Sequence, residues 1–267
     1  MDAMIEKICE LFGFRVESMI PMTDGYQNKV FLVENHSEQV ILRVSTDKTR
    51  TKEEILSEIA WCLNLNEEGI DVSNPIQFNC EYVSTFEHEN ELYHFVLFKI
   101  APGCKVSYSQ YLQDVELFEK LGKITGKLHE NSKKFAKKHH IVRPQWQMNQ
   151  YLRQFKQYVD GSKTALFDAY HEVIQEVSKL NQNQNIFGLI HGDINVGNFH
   201  YNQEKITLFD FDECQLSWYV EDIAIQLFYT IYVFGEDIRG ERVKKGNEFL
   251  RHFLKGYLQE RSISNEE

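Results

Sequence analysis

The chain has 267 residues, 42% of them hydrophobic and 13% aromatic, which is enough for one large domain or a compact pair of lobes around a substantial core. A formal charge of −11 argues against a general nucleic-acid binder, which needs a cationic face for phosphates, and is compatible with a cationic small molecule. The longest apolar run, Ile223 to Phe234, is broken by Gln226 and Thr230 and is too short for a bilayer; the acidic start lacks a signal-peptide pattern, and the five cysteines form no CxxC pair. A cytoplasmic protein with free thiols is expected, without nucleic-acid or membrane partners.

Ile5, Ile8, Leu11 and Phe12 recur at helical spacing and predict a short amphipathic helix. Strand patterns follow at Lys29–Glu34 and Gln39–Ser45, joined by a hairpin-like Asn35-His36-Ser37-Glu38. A helix is expected from about Thr51 to Leu65, with Ile55, Ile59, Cys62 and Leu63 on one face. Strand-like sequence returns at Ile76–Phe78 and Leu92–Ile100, and Ala101-Pro102-Gly103 punctuates the chain.

Beyond residue 103 the period turns helical. Leu117, Leu121, Ile124 and Leu128 form one stripe, and Phe167, Tyr170, Ile174 and Val177 another. One strong strand signal, Lys205–Phe209, interrupts this half, and the last 45 residues read as two or three helices ending in a polar tail suited to disorder. The class is α+β, with a small, mainly antiparallel-sheet lobe over residues 1–100 carrying one important helix, a hinge near 98–103, and a larger, mainly helical lobe over 101–267.

The chemistry concentrates in His191-Gly192-Asp193-Ile194-Asn195-Val196-Gly197-Asn198, followed one strand later by Asp210-Phe211-Asp212. Phosphoryl transfer from ATP needs a carboxylate for the acceptor hydroxyl and hard oxygen ligands for Mg²⁺. The H-x-D-x-x-x-x-N spacing with a following Asp-Phe has the mechanical layout of a kinase catalytic loop and its metal-binding Asp.

With Leu189–Asn198, Phe209–Glu213 and Trp218–Ala224, the chain resembles the phosphotransferase family of aminoglycoside, choline and homoserine kinases, from about Asp24 to Tyr229. The resemblance implies a protein-kinase-like two-lobe fold and ATP-dependent phosphorylation of a small-molecule hydroxyl on an aminoglycoside, amino alcohol, amino acid or sugar. It makes Asp193 the catalytic base, gives Mg²⁺ to Asn198 and Asp210, and makes His191 and Asp222 structural supports of the loop. It further implies a phosphate-binding basic group on the third strand, Arg43, anchored by Glu58 of the next helix. Gly25 and Asn28 fall in a Gly-x-x-Asn lid, and the backbone near Phe98 and Ile100 is the expected adenine contact, with GTP not excluded as the donor.

Three departures stand out: Arg43 where protein kinases carry Lys, no GxGxxG lid, and no Ala-Pro-Glu segment. Acceptor-pocket linings are sought in Trp146–Tyr158 and Glu213–Tyr229, where aromatics and acids suit an ammonium group. The basic run Lys133–His140 reads as a solvated helix end. The competing functions are a bacterial-type protein Ser/Thr kinase and a nucleotide-binding regulator without catalysis; intact Asp193, Asn198 and Asp210 weigh against the second.

Overall fold

The computed structural model describes residues 3–15, 19–22, 28–35, 38–234 and 239–267. In chain order the elements are α1 (Ala3–Phe12), β1 (Ile20–Met22), β2 (Lys29–Asn35), β3 (Glu38–Thr46), α2 (Lys52–Glu67), β4 (Pro75–Ile76), β5 (Ser84–His88), β6 (Glu91–Lys99), α3 (Tyr108–Tyr111) and α4 (Val115–Ala136). They continue with α5 (Gln150–Arg153), α6 (Phe155–Tyr158), α7 (Thr164–Val177), β7 (Phe187–Ile190), β8 (Phe199–Tyr201), β9 (Ile206–Leu208), β10 (Gln215–Trp218), α8 (Tyr219–Tyr232) and α9 (Arg239–Tyr257). One unit comprises Met1–Tyr111, His140–Val142 and Val196–Asp212; the other comprises Leu112–His139, Arg143–Asn195 and Glu213–Glu267.

The first unit is built on an antiparallel sheet of order β1-β2-β3-β6-β4, with β5 pairing β6. Strand alternation sends Val40, Leu42 and Val44 to one face, where Met4, Ile8 and Phe12 of α1 cover them. Arg43 and Ser45 fall on the opposite face, the one that faces α2. That helix begins at a capping box in which Thr51 and Glu54 satisfy each other's backbone N–H groups. It buries Ile55 and Ile59 against Val83 and Val96, while Trp61 meets Phe211 edge-on at 5.4 Å. The β8–β9 hairpin also packs in this unit: Val72 bridges Leu208, Cys104 bridges Tyr201, and the Ser73 N–H donates to the Leu208 carbonyl at 2.8 Å.

The second unit centres on α4 and α9. Leu117, Leu121, Ile124 and Leu128 are all buried, as their spacing predicts. The crossing is unusually close because glycines line it. A Cβ at Gly122 would stand 1.9 Å from the Phe253 carbonyl oxygen, and one at Gly256 would stand 1.8 Å from the Glu119 carbonyl oxygen. Gly122→Ala is therefore expected to force the helices apart and to lower stability by about 1–3 kcal/mol, read as a fall in the urea midpoint at unchanged m. An unchanged midpoint would show that the helices can separate without cost.

Two expectations are corrected. Among the described residues the half beyond residue 103 carries four short strands rather than one, because three- and four-residue strands show too little alternation to declare themselves. The polar tail is also anchored: Glu266 accepts from the side-chain amides of Asn181 and Asn183, and Glu267 pairs with buried Arg261 at 2.7 Å. The α7 stripe is only half-buried; Ile174 and Val177 pack on a cluster of Trp146, Ile186 and Trp218. Among the described residues no helix is long and apolar enough to cross a membrane.

Candidate active site

In the second unit β7 pairs antiparallel with β10, Ile190 opposite Gln215, and delivers the chain directly into the His191 loop. Gly192 is required there. Its φ is +82°, and a Cβ would lie 2.6 Å from the Glu213 carbonyl oxygen. The loop hangs on Asp222, at the start of α8. One carboxylate oxygen accepts the His191 N–H at 2.9 Å, the other accepts the Gly192 N–H at 2.8 Å, and His129 Nε2 lies 3.1 Å from the first. Burial opposes charge on Asp222, but the hydrogen bonds from His129 and the Gly192 N–H, with the neighbouring His191, hold its pKa below the usual carboxylate range.

Asp193 is half-buried. Its backbone N–H donates to His191 Nδ1 at 3.3 Å, which ties the His191 ring to the loop. Asn195 Nδ2 donates both to the Asp193 carbonyl, at 3.2 Å, and to its carboxylate Oδ1, at 3.0 Å. The carboxylate is thus aimed by a residue that sequence reasoning left without a role. The only available signal was an Asn two positions on, a type and spacing common to ordinary loop turns.

In the first unit the β8–β9 hairpin sets Asn198 opposite Phe209, whose N–H donates to the Asn198 carbonyl at 3.0 Å. Asp210 follows β9 with φ +63°, a left-handed backbone that a non-glycine residue adopts at a cost, and its side chain is exposed. An amide and a carboxylate offer the hard oxygens that Mg²⁺ prefers. Among the described residues no cluster of three His, Cys, Asp or Glu could hold a metal alone. Such a sparse donor set fits an ion that arrives with nucleotide phosphates.

The same unit joins Arg43 and Glu58. Two parallel hydrogen bonds of 2.8 and 2.7 Å link the guanidinium to the carboxylate, and both side chains are buried. The guanidinium lies 5.2 Å from the Phe98 ring centroid. Burial lowers the Arg43 pKa, but Glu58, Asp212 and Asp210 more than offset it and leave the net direction upward. One further residue, Arg50, escaped the sequence reading. Arg50 Nε donates to the Asp212 carbonyl at 3.1 Å, which ties the segment before α2 to the Asp210-Phe211-Asp212 turn.

Asn28 Oδ1 accepts from Ser45 on the Arg43 face of β3 at 2.8 Å, whereas Gly25 lies outside the described residues. The Lys99 N–H donates to the Asn74 carbonyl and the Lys99 carbonyl accepts from the Ser73 hydroxyl. Its neighbours Phe98 and Ile100 are half-buried and exposed, respectively. In the expected acceptor region Tyr151 and Tyr158 are exposed, while Phe155 stacks on Tyr170 at 4.3 Å. Glu221 is held by Gln215 and Ser217, and burial pushes its carboxyl pKa up.

The sequence matches the phosphotransferase enzyme family (APH) over residues 18–261. The chain belongs to this family. It is a kinase, with the two-lobe α+β fold of the protein-kinase-like enzymes. Amicoumacin kinase of Bacillus subtilis (strain 168) is 28% identical over 255 residues, covering 94% of this chain and 74% of that protein. The solved amicoumacin kinase hAmiN, in complex with AMP-PNP, Ca²⁺ and Ami, has a TM-score of 0.86 at 28% identity, covering 98% of this chain and 78% of that one. A microcompartment-associated aminopropanol kinase shares the fold, with a TM-score of 0.77 at 22% identity, over 99% of this chain and 83% of that one.

Proposed function

We propose that the kinase transfers the γ-phosphate of ATP to a hydroxyl of a small molecule, with Asp193 as the catalytic base. The observation that carries this is the orientation of the Asp193 carboxylate by Asn195, on a loop whose two preceding N–H groups are fixed by Asp222. A half-buried carboxylate aimed in this way accepts the acceptor's proton as the oxygen attacks phosphorus and the bond to the β-phosphate oxygen breaks. Asn198 and Asp210 would hold Mg²⁺, which when bound neutralises charge on the phosphates.

Arg43 is the phosphate-side cation. Its Nε is buried without a hydrogen-bond partner among the described residues, a donor that an incoming phosphate oxygen would satisfy. Asn28 and Gly25 belong to the lid, and the backbone of Phe98 and Ile100 is the adenine contact. In this reading residues 1–100 bind nucleotide and residues 101–267 supply the base and the acceptor pocket, with the hinge near 98–103. The 28% identical relatives are named for amicoumacin, which makes it the first acceptor to try.

ADP release should be measured with Mg·ATP and Mg·GTP against amicoumacin, aminoglycosides, amino alcohols, amino acids, sugars and a generic protein acceptor. One small hydroxyl compound is expected to raise turnover well above the rate with water alone, and the protein acceptor is not. Turnover with protein alone would replace this reading with a protein kinase. Nucleotide binding without transfer to any acceptor would replace it with a regulator.

A further inference from the structure

Behind the catalytic loop lies a buried chain of hydrogen bonds that runs back to the end of α9. Arg261 Nη1 donates to Tyr257 Oη at 2.7 Å, and Tyr257 Oη lies 2.8 Å from His129 Nδ1. His129 Nε2 in turn meets the Asp222 carboxylate that holds the His191 and Gly192 N–H groups. His129, Asp222 and Tyr257 are fully buried, and Arg261 is only 4% exposed.

The direction of this chain follows from donor chemistry. A guanidinium only donates. Tyr257 Oη therefore accepts from Arg261, and its single proton goes to His129 Nδ1. With Nδ1 accepting, the imidazole proton sits on Nε2 and is donated to Asp222. Asp222 is left as a pure acceptor, the state in which it takes both loop N–H groups. A protonated His129 would turn a second N–H on Tyr257 Oη and strand the tyrosine proton in a buried site.

We propose that Arg261 and Tyr257 are positioning residues for the catalytic loop, acting by fixing His129 as the neutral Nε2–H tautomer. The charged and titratable groups around the ring bear on that state, and from the loop after β7 His191 acts on the same Asp222 carboxylate. From α8, Asp222 favours the imidazolium, and Tyr219 stacks on the ring at 4.7 Å. From α9 and the segment after it come Tyr257, Arg261 and Glu267; on α4 itself, Glu130 pairs with Lys133. Burial lowers the His129 pKa most, Arg261 lowers it further, and Asp222 and Glu267 oppose them, with a net direction downward. Arg261 is held in turn by Glu267 and the Asn185 carbonyl, and lies 4.6 Å from the Tyr219 ring centroid.

The proposal rests on the kinase reading above for its catalytic consequence, but not for its spectroscopic one. Long-range ¹H–¹⁵N spectra of the full chain, with the His129 signals identified by their loss in His129→Asn, should show one neutral tautomer across about pH 5.5–8. In Arg261→Met the tyrosine hydroxyl is free to turn and a positive charge is gone, so His129 should titrate inside that window. The acid limb of kcat should move toward neutral by about one pH unit. Below it kcat should fall on the order of ten- to a hundred-fold, with KM for ATP unchanged.

Arg261→Lys should restore the wild-type tautomer and profile. Should Arg261→Met fail to fold, Tyr257→Phe removes the donor to Nδ1 while keeping the Arg261 charge and should yield mixed His129 tautomers. The proposal is overturned if folded Arg261→Met or Tyr257→Phe keeps a single Nε2–H tautomer and the wild-type pH profile. It is equally overturned if activity falls alike at every pH and Arg261→Lys does not restore it. Failure of the kinase reading would instead appear as absent turnover in the wild type, with the imidazole response of the variants still readable.

Discussion

Asp193→Asn is expected to lower kcat by roughly 10²–10⁴-fold, the usual contribution of a positioned general base. The substitution is nearly isosteric. The amide keeps a carbonyl oxygen that can accept from Asn195 Nδ2, as Oδ1 of the native carboxylate does at 3.0 Å. The Asp222 bonds to the His191 and Gly192 N–H groups do not involve the Asp193 side chain, so the loop should keep its course. What disappears is the capacity to take the acceptor's proton. Affinity for Mg·ATP by calorimetry should be unchanged, because Arg43, Asn198 and Asp210 are untouched. A variant that retains more than about a tenth of wild-type kcat would remove the general-base role, since base catalysis is worth at least about 10²-fold.

How much of this was legible in the sequence follows from how far apart the partners lie. The His191–Asn198 loop is contiguous, so spacing alone marks it as a candidate. Arg43 and Glu58 lie fifteen residues apart on a strand and the next helix, and the strand and helix periods place both on facing surfaces. Asp222 is different. Its histidine partner is 93 residues upstream on α4, and nothing local in either segment signals the pairing. Arg50 and Asp212 are separated by 162 residues and are equally silent.

The glycines of α4 carried a signal that went unread. Gly122 and Gly126 are four apart in a helix, where glycine is unfavourable by about 1 kcal/mol relative to alanine. Keeping two of them on one face implies a backbone at close range, and α9 is that backbone. The same close approach brings Tyr257 within hydrogen-bonding distance of His129. The polar tail misled for a related reason: composition reports on burial of apolar surface, whereas this tail is fastened by Arg261 and two asparagines.

The second large effect concerns Glu58. Glu58→Ala should destabilise the chain by about 3–5 kcal/mol, because it leaves the Arg43 guanidinium buried without its bidentate partner. Asp210 and Asp212 also favour the Arg43 charge and are too few to replace that geometry. A fall in Tm of roughly 10 °C should report the loss. The double variant Arg43→Met/Glu58→Leu removes both charges and keeps the volume, so it should recover most of that stability. Recovery of stability and recovery of function should then part. The double variant has no cation on β3 to meet a phosphate, so Mg·ATP should no longer raise its Tm. A double variant as unstable as Glu58→Ala would place the cost in packing rather than in an unpaired charge. A full nucleotide-induced rise in Tm would take the phosphate-binding role away from Arg43 altogether.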